Sequence, residues 1–283
     1  MSLLALLLTM STTTSQTGIA NSVDGVPIHY ATQGQGDIAV VLVHGWAINR
    51  RYWDAQVPVL ARTYRVVTLD LAGHGRSGRE RKDWSVAAFG QDVRAVVEAL
   101  SLKKAVLVGH SMSGNVILEA TKAMPERVVG LVPVDTLLDV DEVTSDAEVK
   151  GAIAAFRADY KATASGFMRK YMFADTTPKA LVEEVVKDAT SFPPEISVPI
   201  LEHTWRHDPR PLLREIHVPI VAVNADKFPT RLDHARQYAP QYDALIVKGV
   251  GHYLMREDPA AFNAQLARAV ARVTGTAQPL APR

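Results

Sequence analysis

Residues 108–115 read "VGHSMSGN". The run before them, "KKAVLV" (103–108), is apolar and β-branched, and the run after, "NVILEATKAMPERV" (115–128), has helical spacing. A strand that passes at once into a helix through G-x-S-x-small sets its central serine on a sharp turn. Such a turn needs small residues two before and two after the serine, here Gly109 and Ser113, with Gly114 next. Glycine is the usual residue where Ser113 stands, so the expectation there is strain in the turn rather than its loss. The start of a helix also favours developing negative charge. Ser111 therefore reads either as a small turn residue or as a nucleophile. A hydroxyl becomes a useful nucleophile only when a base takes its proton.

Working outward, short apolar runs recur at 38–45, 65–71, 104–111, 128–135, 218–226 and 243–251. They are near-continuous in Val, Ile, Leu and Ala, as strands covered on both faces are, which predicts a parallel sheet. Residues 25–34, "GVPIHYATQG", read as a hairpin piece at the front edge. Helical patterns alternate with the strands. One places Phe89, Val93, Val96, Val97 and Leu100 on one face behind Ser85 as N-cap, and another places Phe262, Leu266 and Val270 together. Alternation of this kind predicts an α/β fold, doubly wound around a mostly parallel sheet.

The alternation stops between about 138 and 212, where only helical patterns appear: "SDAEVKGAIAAFRADY", "TPKALVEEVVKDA" and "PEISVPILEHTWRHD". Thr177-Pro178 reads as a cap and first-turn pair, and Pro193-Pro194 separates the last two helices. A helical block between two late strands is expected to lie as a lid over the C-terminal edge of the sheet, where open α/β sheets bind ligands. Its aromatics, Phe156, Tyr160, Phe167, Tyr171, Phe173 and Trp205, divide between docking the lid and lining a pocket. The expected organisation is a tail or signal segment at 1–22, a core at 23–137 and 213–275, a lid at 138–212 and a tail at 276–283.

Composition narrows the function classes. The chain has 283 residues, 31 Lys plus Arg against 30 Asp plus Glu, and a net charge of +1, which gives no reason to expect nucleic acid as a partner. Hydrophobic residues make up 47%, enough for a full core and against disorder. There is no cysteine, so disulfides, thiolate catalysis and Cys-based metal sites are excluded. The apolar run "LLALLLTM" (3–10) is too short to span a bilayer. It resembles a signal-peptide core with "GIA" before Asn21 as a cleavage triplet, though no Lys or Arg precedes it. A cleaved segment implies a periplasmic or secreted protein, and an uncleaved tail a cytoplasmic one.

The partners that Ser111 needs fall at strand ends. "KGVGHYLMREDP" (248–259) places His252 after the last strand and before a helix, at the same sheet edge as Ser111. A carboxylate must orient that imidazole. Asp226 ends "VPIVAVNA" and is the expected acid. Asp135 ends "VVGLVPV" and is the alternative, and Asp233 is a third candidate that fits a solvated helix face better. Oxyanion donors are expected from the backbone N–H of Met112 and, in "VHGWAINRRYW", that of Trp46.

Two other motifs carry less. "GHGRSG" (73–78) matches G-x-G-x-x-G, but "RERKDW" follows it where a dinucleotide site needs a helix, and Asp92 falls inside a helix rather than at a strand end. His203 and His207 share a helix face, yet no third ligand has suitable spacing.

Taken in order, "VLVHGW", "DLAGHGRSG", "VGHSMSGN", "LVPVD", "VPIVAVNAD" and "GVGHYLMREDP" resemble the α/β-hydrolase superfamily over nearly the whole chain. The resemblance implies a serine hydrolase of the lid-bearing, esterase-like branch, with the triad order Ser, acid, His carried by Ser111, Asp226 and His252. Relatives that take the acid after this strand often read G-x-x-D, whereas this chain reads "VNADKFPT"; others take it from the preceding strand, at Asp135 here. Serine at the elbow, where dehalogenases and epoxide hydrolases carry aspartate, points to acyl chemistry. The implied substrate is a small to medium apolar molecule, with no cofactor and no metal. The same fold and triad also serve ligand receptors, perhydrolases and carbon–carbon bond hydrolases.

Overall fold

The computed structural model describes residues 15–276. Its strands are β1 (Gln16–Asn21), β2 (Pro27–Gln33), β3 (Ala39–Val43), β4 (Arg65–Leu69), β5 (Ala105–His110), β6 (Val128–Val134), β7 (Ile220–Ala225) and β8 (Tyr242–Val247). Together they form one eight-stranded sheet in the order β1-β2-β4-β3-β5-β6-β7-β8. The strands from β4 across to β8 pair in parallel, while β2 pairs antiparallel with both β1 and β4. All six apolar runs are strands, and β3, β5 and β7 are buried at every residue. That burial is why they read as continuous rather than alternating.

The helices are α1 (Val57–Leu60), α2 (Val86–Ala99), α3 (Ser113–Ala123), α4 (Asp146–Ala158), α5 (Tyr160–Tyr171), α6 (Lys179–Thr190), α7 (Pro194–Arg206), α8 (Arg210–Glu215), α9 (Leu232–Tyr238), α10 (Leu254–Glu257) and α11 (Pro259–Thr274). The Ser85 hydroxyl caps α2 by accepting the Ala88 N–H at 3.1 Å, and Phe89, Val93, Val96 and Val97 are buried beneath it. In α11, Asp258 caps the first turn, and Phe262, Leu266 and Val270 are buried.

Five helices, α4 to α8, stand between β6 and β7. One of them, α5, falls where the sequence patterns showed no separate helix, and α8 runs across the expected boundary at 212. Thr177 is not the cap of α6: the helix begins after Pro178 with no side-chain cap, and the Thr177 hydroxyl donates instead to the Glu257 carboxylate.

The edge strand β1 is a further element the runs did not reveal. The triplet Gly18–Ala20 lies inside it, paired with Tyr30, His29 and Ile28 of β2, so cleavage after Ala20 would remove most of that strand from the sheet. The apolar run at 3–10 and the tail from 277 onward lie outside the described residues. Among the described residues, no helix is long and apolar enough to cross a membrane.

Candidate active site

The candidate residues stand just after the C-terminal ends of β3, β5, β6 and β8; His252 meets Asp135 there, and among the described residues no hydrogen bond joins the Ser111 hydroxyl to His252. Ser111 follows β5 directly, with φ +57°, a left-handed backbone that costs a non-glycine residue energy and turns up where geometry is held for function. Its N–H donates to the Val134 carbonyl of β6 at 3.0 Å, and α3 starts two residues later. Gly109 has to be glycine: a Cβ there would come within 2.1 Å of the Ser113 carbonyl oxygen. Ser113 is fully buried, and its hydroxyl donates to the His44 carbonyl at 2.5 Å. The departure from glycine is thus accommodated by a hydrogen bond to the loop after β3.

That loop approaches Ser111 through Gly45. A Cβ on Gly45 would meet His110 Nδ1 at 2.8 Å and Ser111 Cβ at 3.1 Å. Two residues on, Ala47 has φ +55°. Two buried imidazoles hold the loop. His44 Nε2 accepts the Leu71 N–H at 3.0 Å, and its Nδ1 meets the Gly45 carbonyl at 2.8 Å. His74 Nε2 accepts the Ala47 N–H at 3.3 Å, and its Nδ1 meets the Ala72 carbonyl at 3.0 Å. Burial lowers the pKa of both, which keeps them neutral and able to accept. Among the described residues, no acceptor meets the backbone N–H of Trp46 or of Met112.

His252 sits on the loop after β8. Its Nδ1 meets Asp135 Oδ2 at 2.6 Å. Its own N–H donates to the Met172 carbonyl at 2.7 Å, and its carbonyl accepts from His110 Nε2 at 2.9 Å. The His110 ring packs 4.6 Å from the His252 ring, centre to centre. Burial, and then the charge of His252, hold His110 well below the usual imidazole pKa, so it is neutral and carries its proton on Nε2 toward that carbonyl.

The carboxylate beside His252 therefore belongs to Asp135, not to Asp226, the expected acid. Asp135 is only 7% exposed and has φ +46°. Its Oδ1 accepts the Ala225 N–H at 2.9 Å while Oδ2 faces the imidazole. Asp226 is exposed and turned away, and its Oδ1 accepts the Gly249 N–H at 2.8 Å. Asp233 pairs with Arg231 at 3.0 Å on the surface.

A cavity of about 450 Å³ opens beside Ser111. Ser111, Met112, Asn115 and Asp135 line it from the sheet side, and Val149, Trp205, Arg206 and His207 from the inserted helices. The insert's aromatics divide between two roles. Phe156 and Tyr160 pack edge-on against Trp46 at 6.2 and 6.5 Å, and Phe173 stacks on Tyr253 at 5.5 Å. Phe156 serves both, since it lines a neighbouring cavity of about 670 Å³ together with Trp205, Phe167 and Tyr171.

The motifs set aside have structural places. In the loop of residues 73–78, a Cβ on Gly75 would strike the Asp70 carboxylate at 2.3 Å, and that carboxylate accepts the N–H groups of Arg50 and Arg76. The chain's own carboxylate occupies the inside of this loop. His207 faces Glu119 at 3.8 Å, and among the described residues no three His, Asp or Glu converge as a metal site.

Sheet order, strand-end site and helical insert together are the layout of an α/β hydrolase. The chain belongs to the alpha/beta hydrolase family, whose sequence model matches residues 40–265. It is 28% identical over 243 residues to a dihydrolipoyllysine-residue acetyltransferase component of the acetoin cleaving system of Pseudomonas putida, covering 82% of this chain and 63% of that one. To the karrikin insensitive 2 receptor CA of Petunia hybrida it is 28% identical over 204 residues, 69% of this chain and 75% of the receptor. An esterase structure from Thermogutta terrifontis superposes with TM-score 0.80 at 22% identity, covering 91% of this chain and 99% of the other. At that identity the likeness is one of fold.

Proposed function

We propose that this hydrolase cleaves a carboxylic ester or related acyl bond through an acyl-enzyme on Ser111. The observation that carries the reading is the 2.6 Å contact of His252 Nδ1 with buried Asp135, at the sheet edge where Ser111 stands in a left-handed turn. With Nδ1 committed to the carboxylate, Nε2 is left to take the Ser111 proton as the oxygen attacks the carbonyl carbon. Asp135 stabilises the imidazolium. The oxyanion accepts the unclaimed N–H groups of Trp46 and Met112. His252 then passes the proton to the leaving group, and water repeats the cycle on the acyl-enzyme.

The helices between β6 and β7 act as a lid over this site, and the 450 Å³ cavity suits a small to medium substrate. Its lining mixes Val149 and Trp205 with Arg206 and His207, which favours a substrate with a polar as well as an apolar part.

Initial rates on p-nitrophenyl esters of rising acyl length, wild type beside Ser111→Ala, test the proposal. Turnover that the variant loses supports it, and equal turnover by both proteins contradicts it. A second reading, a ligand receptor that keeps this site, draws on the receptor relative. Ligand-dependent binding of a protein partner, with negligible turnover, would favour it.

A further inference from the structure

Glu257, on the last turn of α10, straddles His252 in a way that the reaction scheme above leaves unused. Its Oε2 accepts the Gly251 N–H at 2.8 Å and its Oε1 the Tyr253 N–H at 3.0 Å, the residues on either side of His252. The N–H of His252 itself is taken by the Met172 carbonyl, and its carbonyl by His110. Three successive N–H groups of this loop are thus each assigned an acceptor, two of them by one carboxylate.

The same Oε2 also accepts the hydroxyl of Thr177 from the α5–α6 connection. That connection lies against the loop along its length. Thr176 Oγ1 donates to the Gly249 carbonyl at 2.9 Å, and a Cβ on Gly251 would come within 2.6 Å of both the Ala174 nitrogen and the Met172 oxygen. A carboxylate is the one side-chain group that suits this place. It offers acceptors only, and three donors converge on its two oxygens. A glutamine would set an N–H₂ against an N–H.

We infer that Glu257 is a positioning residue for His252, and that the α5–α6 connection reaches the base through it. The inference rests on the serine-hydrolase reading for its rate prediction, but not for its structural one. Displacement of a catalytic group by about 1 Å costs about 100-fold in rate.

Four proteins are compared: wild type, Glu257→Gln, Thr177→Val and Thr177→Ser. Each is checked by circular dichroism, then by kcat and KM on the best p-nitrophenyl ester, and by the low-field proton NMR signal of His252 Nδ1–H facing Asp135. Glu257→Gln is expected to lower kcat by about 10- to 100-fold with KM within about twofold, and to weaken the low-field signal. Thr177→Val shifts both in the same direction by less, and Thr177→Ser restores them. Thr177 keeps the test open should Glu257→Gln fail to fold. A Glu257→Gln protein that is folded, with wild-type kcat and an unchanged low-field signal, would overturn the inference, as would a Thr177→Val protein identical to wild type. Should wild type turn over no ester, the hydrolase reading falls, and the NMR comparison alone decides the role of Glu257.

Discussion

Strands β6 and β7 lie side by side in parallel, and each is followed by an aspartate, yet the two carboxylates meet different fates. After β6 the chain turns into left-handed backbone at Asp135, whose N–H bonds the Val223 carbonyl of β7. This folds the carboxylate back between the Ala225 N–H and His252. After β7 the chain runs on outward: the Asp226 N–H bonds the Val247 carbonyl of β8, and the side chain ties down Gly249 in the next loop. Both aspartates occupy the position that chemistry asks for. The turn that follows the strand, with the burial it brings, decides which one meets His252.

The largest effect that separates the two ends is expected from Asp135→Asn. The amide can still accept from Ala225, but its N–H₂ faces His252 and forces the wrong tautomer, so kcat should fall by about 10⁴-fold in steady-state assays. A fall under tenfold would remove the distinction.

Stability should depend on pH around the same edge. His44, His74 and His110 are neutral in the fold, with pKa values lowered by burial, and His207 is lowered in the same way. The unfolded chain binds protons at these sites below about pH 6.5, the fold does not, and stability is therefore lost as pH falls. His234, raised by its hydrogen bond to Asp139, acts in the opposite sense, as do the carboxyls of Asp92 and Glu119, raised by burial, but carboxyls start from ordinary values of about 4, below the range in which the four imidazoles titrate. Each net proton contributes about 1.4 kcal/mol per pH unit once the pH is well below 6.5. Calorimetry from pH 7.5 to 5 should show a falling Tm, and a rising Tm would contradict the neutral assignment.

Smaller effects sharpen the comparison of the two aspartates in the folded state. Asp135→Ala leaves the buried Ala225 N–H without an acceptor and should cost about 1–3 kcal/mol in urea unfolding. Asp226→Ala leaves an exposed N–H that water can reach, so its cost should stay within about 0.5 kcal/mol. Least of all, Asp226→Asn should leave kcat/KM within about threefold of wild type.

Much of this architecture is legible in the residues. The six apolar runs, the Ser85 cap and the small residues around Ser111 are local signals, and each corresponds to the element it announces. Which aspartate meets His252 is not legible, because "LVPVD" and "VNAD" look alike until the backbone after them is known. A non-glycine residue at positive φ leaves no mark in composition. Thr177 misled for a similar reason: a threonine before proline matches a helix cap, but its hydroxyl goes to Glu257, which lies 80 residues away in the chain. The edge strand β1 was missed because "QTGIAN" is polar and buries only Ala20. α5 was missed because Thr163, Ser165 and Gly166 dilute its helical pattern.

The most direct measurement is a stopped-flow burst of p-nitrophenolate from a reactive ester, with wild type, Asp135→Asn and Asp226→Asn in one series. Wild type and Asp226→Asn should release about one equivalent per Ser111 at similar rates, while Asp135→Asn shows no burst on that timescale. A burst that persists in Asp135→Asn and vanishes in Asp226→Asn would contradict the assignment of Asp135 as the acid that serves His252.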